Sequence, residues 1–214
     1  MIAVITGDII HSRKLKNQQI WLQPLKALFK PWGQSPQQWD IYRGDSFQLE
    51  IDNAADALGK ALQIKALIKS TGSEDPQKRI SDIDVRMGIG IGTRDYQGEG
   101  ISESNGSAFV HSGNKFEKLR KEKLTLAIQS PWGPFDEEMN LYLKLASISM
   151  DNWTISSGEI VSEVFRHPDQ TQSQIGEKLG IEQNSVSDRF RRAHVEEILE
   201  LEKMFRKKLN QYLS

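Results

Sequence analysis

The sequence predicts an α+β fold, with a sheet-and-helix domain over residues 1–129 and an all-helical domain over residues 130–214. Three observations predict it. Up to about residue 128, short segments with the two-residue period of strands interleave with segments whose apolar residues recur at helical spacing. Beyond Pro131-Trp132-Gly133-Pro134, which reads as a hinge, the strand period stops and only the helical one remains. Within that second part, residues 171–192 carry the spacing of a helix-turn-helix.

The elements follow in order. Ile2-Ala3-Val4-Ile5 is an apolar strand that ends in Thr6-Gly7-Asp8. Polar His11-Ser12-Arg13-Lys14 leads into a helix with Trp21, Leu25, Leu28 and Phe29 on one face, closed by Lys30-Pro31-Trp32-Gly33. Trp39-Asp40-Ile41 and the alternating Phe47-Gln48-Leu49-Glu50-Ile51 form a hairpin, with Gly44 at its strained position. Asp52-Asn53 caps a second helix that turns Ala54, Leu58, Ala61, Leu62, Lys65 and Ile68 inward. Thr71-Gly72 closes it, and a polar loop covers residues 73–78. In the strand 84–92, Val85, Met87, Ile89 and Ile91 alternate with Arg86, Gly88, Gly90 and Gly92. Its three glycines thin one face, so something can approach the backbone closely there. A long loop, a helix from Gly106 to about Arg120 and a strand 124–128 complete this part. The first six elements match the ferredoxin-like pattern, with helices expected on one face of a mostly antiparallel sheet.

Composition narrows the function. Lys and Arg number 28 against 29 Asp and Glu, so any polyanion must be met by a local patch. Cysteine is absent, which removes disulfides and Cys-ligated zinc. No apolar run approaches the roughly 18 residues of a membrane span, and the first strand lacks the basic start of a signal peptide. No membrane partner and a cytoplasmic location are the expectation.

Asp8 and Asp45 each follow a glycine at a strand end. If the first strand and the hairpin are neighbours, the two carboxylates reach the same end of one sheet. At ~4 Å and an effective dielectric of ~20 they would repel by roughly 4 kcal/mol, so a proton, water or a divalent cation must offset them. Paired aspartates at loop ends hold Mg²⁺ against a nucleotide's phosphates. The alternative is a pair of Gly-Asp turns whose carboxylates cap backbone N–H groups.

In the second part, helices are expected from Phe135 and over residues 155–165. Gly176 lets two short helices cross closely, Gly180 makes the turn, and Ile175, Leu179, Ile181 and Val186 form the small core between them. The second helix then exposes Gln183, Asn184, Ser187, Asp188 and Arg191, of which Gln and Asn suit adenine edges and Arg suits guanine. Arg189 and Arg192 are expected to reach phosphates of double-stranded DNA. The alternative is a helical hairpin packed on its own protein. With so few cations a monomer binds DNA weakly, and a homodimer would double the contacts. One long helix from about Ser185 to Tyr212 carries the stripe Ile198, Leu201, Phe205 and Leu209, which serves either a dimer seam or packing on the first domain.

These residues also carry a resemblance. Val4-Ile5-Thr6-Gly7-Asp8-Ile9, Tyr42-Arg43-Gly44-Asp45-Ser46-Phe47, Arg86-Met87-Gly88-Ile89-Gly90-Ile91-Gly92 and Gly106-Ser107-Ala108-Phe109-Val110 occur in the order of class III nucleotide cyclase domains. The hairpin is also similar to the GGDEF motif of diguanylate cyclases. With its tail, the whole chain resembles the SatD family of small bacterial proteins. The resemblance implies that Asp8 and Asp45 hold two Mg²⁺ on a triphosphate. It implies that Arg43, Gly44, His111 and Lys115 bind the nucleotide, the last two standing where cyclases have a transition-state asparagine and arginine. Ile41 stands where adenylyl cyclases read adenine with lysine, and Ser46 where GGDEF enzymes have an acid. The implied function is a bacterial transcriptional regulator with a nucleotide- and Mg²⁺-binding sensor. A divergent cyclase or nucleotidyl-transfer enzyme is the alternative, and a scaffold with both sites vestigial is a third reading.

Overall fold

A computed structural model describes residues 1–73 and 77–213; the loop expected over 73–78 includes residues 74–76, which lie outside the described residues. Five strands, β1 (Ile2–Ile10), β2 (Trp39–Tyr42), β3 (Ser46–Ile51), β4 (Asp84–Gly92) and β5 (Leu126–Gln129), form one mixed sheet in the order β2-β3-β1-β4-β5. β1 is antiparallel to both β3 and β4, β2 and β3 are the expected hairpin, and β5 adds parallel to β4. The hairpin loop places both Arg43 (φ 53°) and Gly44 (φ 88°) in the left-handed region, where sequence reasoning put the glycine alone.

Period-two alternation gives the sheet two different faces. Ala3, Ile5 and Ile9, Phe47, Leu49 and Ile51, and Val85, Met87, Ile89 and Ile91 are buried in the main core. That core includes Trp21, Leu25 and Phe29 of α1 (Gln19–Phe29) and Leu58, Ala61 and Leu62 of α2 (Ala57–Ser70). Each large side chain so buried contributes roughly 1.5–3 kcal/mol. The cap expected at Asn53 is present: its side chain accepts from Ala55 N–H (3.2 Å) on the short turn that leads into α2.

The opposite face is the one thinned by glycine, and α3 (Ser107–Glu122) fills it. A Cβ on Gly88 would meet Phe116 N at 2.7 Å and Ser112 O at 2.8 Å, and one on Gly90 would collide with Ala108 O and Ser112 N. Between the layers Thr6 and Ser112 join their hydroxyls at 2.9 Å. Helices therefore cover both faces, not one as the sequence led us to expect. Without side chains on Gly88 and Gly90, nothing holds α3 away from the sheet.

The remaining helices are α4 (Gly133–Met150), α5 (Ile155–Arg166), α6 (Gln172–Leu179), α7 (Gln183–Ala193) and α8 (Val195–Leu213). α5 lies directly on α2, since a Cβ at Gly158 would meet Ser70 N at 2.5 Å. Beside this crossing the fully buried Lys65 ammonium sits 2.7 Å from Asp84 and 2.6 Å from Asp151. Lys69 donates to the Asp151 carbonyl (2.7 Å), and the Thr125 hydroxyl to the Asp151 carboxylate (2.6 Å). The network ties α2, β4, the start of β5 and the α4–α5 turn together.

The long helix expected over 185–212 is two helices, broken at His194, whose φ of 54° is left-handed. The cause is visible: the buried Trp153 indole N–H donates to the Ala193 carbonyl (3.0 Å), which a continuous helix would give to residue 197. The stripe Ile198, Leu201, Phe205 and Leu209 is buried inside this chain, so it is not a dimer seam. Among the described residues no helix is long and apolar enough to cross a membrane.

Candidate functional site

The β1–β3 register pairs Asp8 with Ser46, so Asp45 in the hairpin loop follows directly, and the Ile9 N–H donates to the Asp45 carbonyl (2.9 Å). The two acids thus share one end of the sheet. They line a cleft of about 590 Å³ with Ile9, Ile10, His11, Ser12, Arg13, Lys14, Arg86 and Arg120. A larger groove of about 700 Å³ between α4 and α8 is walled mainly by apolar side chains such as Ala146, Leu201 and Met204, and holds none of these acids.

Neither carboxylate is free. Asp8 faces Arg86 across the β1–β4 ladder, and Arg86 donates from Nε to Oδ1 (3.1 Å) and from Nη2 to Oδ2 (2.5 Å). The guanidinium carbon of Arg86 lies 5.5 Å from the centre of the Phe116 ring. The Ser12 hydroxyl donates to Asp45 Oδ2 (2.7 Å). The cation needed to offset Asp8 is therefore a guanidinium supplied by the next strand. Arg13, Lys14 and Arg120 ring the opening with no ion pair among the described residues, so the lining holds four cations and two carboxylates. His11, at the cleft wall, takes a left-handed φ of 61°.

The nucleotide residues implied by the cyclase resemblance do not join this cleft. Arg43 and Gly44 sit in the hairpin loop, outside its lining. His111 lies further along α3, where its Nδ1 donates to the Ile91 carbonyl (2.7 Å). One turn on, Lys115 is 3.8 Å from Glu122. Both act on Asp136, near the start of α4. Burial pushes that carboxyl above its ordinary value, while the Ser130 hydroxyl and N–H, then the charges of His111 and Lys115, pull it down. That group is a junction between α3 and α4.

Sequence reasoning missed Arg86, Arg120, Ser12 and Arg13 as site residues. The signal for Arg86 was its phase: two residues before Gly88, it shares the glycine face. Arg120 continues the i, i+4 row of Ser112 and Phe116 that lies on those glycines.

On the helical side, α6 opens with a capping box between Thr171 and Gln174, and Gly180 makes the turn at φ 65°. A Cβ on Gly176 would meet Ile181 O at 2.7 Å, the close crossing expected there. Gln183, Asn184, Ser187, Asp188 and Arg191 are all exposed on α7. Arg189, expected on a phosphate, instead turns to α5 and pairs with Glu159 (2.9 Å). Arg191 pairs with Asp188 (2.9 Å), and Arg192 Nε donates to the Asp188 carbonyl (3.3 Å).

No model of a known protein family matches the chain, and no curated protein matches it.

Proposed function

We propose that this chain is a SatD-like DNA-binding regulator, as its helix-turn-helix spacing suggests, whose N-terminal cleft takes a phosphorylated ligand, a nucleotide. The observation that carries the reading is the cleft itself: Arg13, Lys14 and Arg120, with no ion pair among the described residues, around a hollow of about 590 Å³. Small-molecule sites run from roughly 300 to 1,000 Å³. The strand order β2-β3-β1-β4 supports the ferredoxin-like part of the reading. The α6–α7 pair, with its glycine turn and exposed Gln183, Asn184, Ser187 and Arg191, supports a helix-turn-helix. Its phosphate contacts fall to Arg191 and Arg192. Seated as a homodimer, two such units double the counterions released.

A pair of Mg²⁺ ions does not fit Asp8 and Asp45 as they stand, because both Asp8 oxygens accept from Arg86. With Asp8 held by Arg86 and Asp45 by Ser12, in-line phosphoryl displacement has no free carboxylate pair here to hold its metals.

Thermal melting with ATP and GTP tests the ligand half. A ligand at about a hundred times its Kd adds ~2.7 kcal/mol to stability, and Arg13→Ala with Arg120→Ala is expected to remove the gain. No rise with any nucleotide would sink it. Retardation of promoter DNA, lost in Arg191→Ala with Arg192→Ala, tests the other half.

A further inference from the structure

We propose that Arg86 is the cleft's resident cation, standing where a divalent ion was expected, and that the cleft takes its oxyanion without metal. The inference rests on the cleft being a ligand site, as proposed above. Arg86 is fixed from two directions. The ladder sets it opposite Asp8, two donors grip both carboxylate oxygens at 3.1 and 2.5 Å, and Phe116 of α3 lies 5.5 Å from its guanidinium carbon. Its side chain is only 18% exposed and that of Asp8 23%, so the pair sits largely out of water. A two-pronged guanidinium–carboxylate bond is among the stronger charge-assisted contacts.

Magnesium demands near-octahedral oxygen ligation. To reach Asp8 it must displace this guanidinium, and Asp45 already accepts from Ser12 at 2.7 Å. Among the described residues no three His, Asp or Glu side chains gather as a ligand set.

What remains suits an oxyanion. The Nη1 donors of Arg86 have no protein acceptor among the described residues. Arg120 from the last turn of α3, and Arg13 and Lys14 from the turn after β1, bring to the same cleft charge that has no ion pair among the described residues. Four cations against two carboxylates leave it positive with no ion added. A planar guanidinium with free N–H groups offers phosphate the fork that a lysine lacks.

Manganese uptake by the full-length protein, followed by the electron paramagnetic resonance of the free ion and with no nucleotide present, tests this directly. The unsubstituted protein is expected to leave the free-ion signal undiminished. Arg86→Gln is expected to take up roughly one ion per chain as oxygen ligands are released, and adding Asp8→Asn should abolish that uptake. Stoichiometric uptake by the unsubstituted protein, lost in Asp8→Asn alone, would overturn the proposal. So would an Arg86→Gln protein that is folded by circular dichroism yet takes up none. In parallel, pyrophosphate is expected to raise the melting temperature equally in EDTA and in magnesium. A rise only with magnesium overturns the role given to Arg86 and leaves the ligand reading standing; no rise in either buffer overturns both.

Discussion

Two groups of arginine in this chain differ in how much of their charge is already engaged. At the end of the sheet Arg86 is paired with Asp8, while Arg13, Lys14 and Arg120 line the cleft with no ion pair among the described residues. On α7, Arg189 is held by Glu159 and Arg191 by Asp188. Three cleft cations thus keep their charge available, whereas on α7 Arg189 is taken up by α5, Arg191 shares an exposed pair, and Arg192 meets only the Asp188 carbonyl among the described residues. A count of Lys and Arg along the sequence treats the two groups alike; their partners separate them.

Whether both groups stand on one frame is tested most severely at Lys65. Lys65→Ala removes the buried cation between Asp84 and Asp151, leaving Asp84 only the more distant Lys69 (3.5 Å) and Asp151 only the Thr125 hydroxyl. It should lower stability by about 3 kcal/mol, read by urea denaturation with probes in both regions shifting together. Transitions that separate would mean that the sheet and the helical part unfold independently.

Asp45→Asn sharpens the contrast at the cleft. Removing a carboxylate ~4 Å from a bound phosphate in a watery surround relieves about 1 kcal/mol, which is roughly fivefold tighter binding. Titration calorimetry with pyrophosphate checks it, and weaker binding would restore a metal-dependent site. On α7 the arginines should behave unequally. Arg191→Ala should reduce the slope of log affinity against log salt by about 0.9. Arg189→Ala should leave that slope unchanged and cost about 1 kcal/mol of stability, since its pair with Glu159 is only partly exposed.

The smallest effect concerns the far end of the α3 face. Burial holds the Glu50 carboxyl above its ordinary 4.5, although Arg94 pairs with it and lowers it. A carboxyl whose pKa is raised on folding binds more protons folded than unfolded. Its contribution favours the fold below the unfolded value and is lost as pH climbs through the folded one. Glu50→Gln should therefore remove a shallow fall in stability just above pH 4.5, visible in melting curves across that range.

Local pattern made much of this legible. Strand period and hairpin length put Asp8 and Asp45 each at a strand end, and the β1–β3 pairing on which their meeting was conditional is present. The inward phase of Lys65 followed from its spacing to Leu58, Leu62 and Ile68, and it is fully buried. What escaped was long-range pairing. Nothing local says that Arg86 will sit opposite Asp8, residues apart by 78 in the chain. Nor does α7 announce that Glu159 will claim Arg189. The break at His194 was hidden for the same reason: helical spacing runs through it, and the cause is an indole on another segment. The side taken by α3 could have been read, since a strand face made of glycines invites a helix.

The buried ammonium at Lys65 has one more consequence. Half of its compensation, Asp151, is supplied by the stretch that joins α4 to α5, beyond the point where strands give way to helices. Severing the polypeptide near residue 129 would bare the surface of α2 on which Gly158 rests and leave that charge half-answered. The excised sheet would inherit a wound in its own interior, and limited proteolysis should find it far more digestible than the whole.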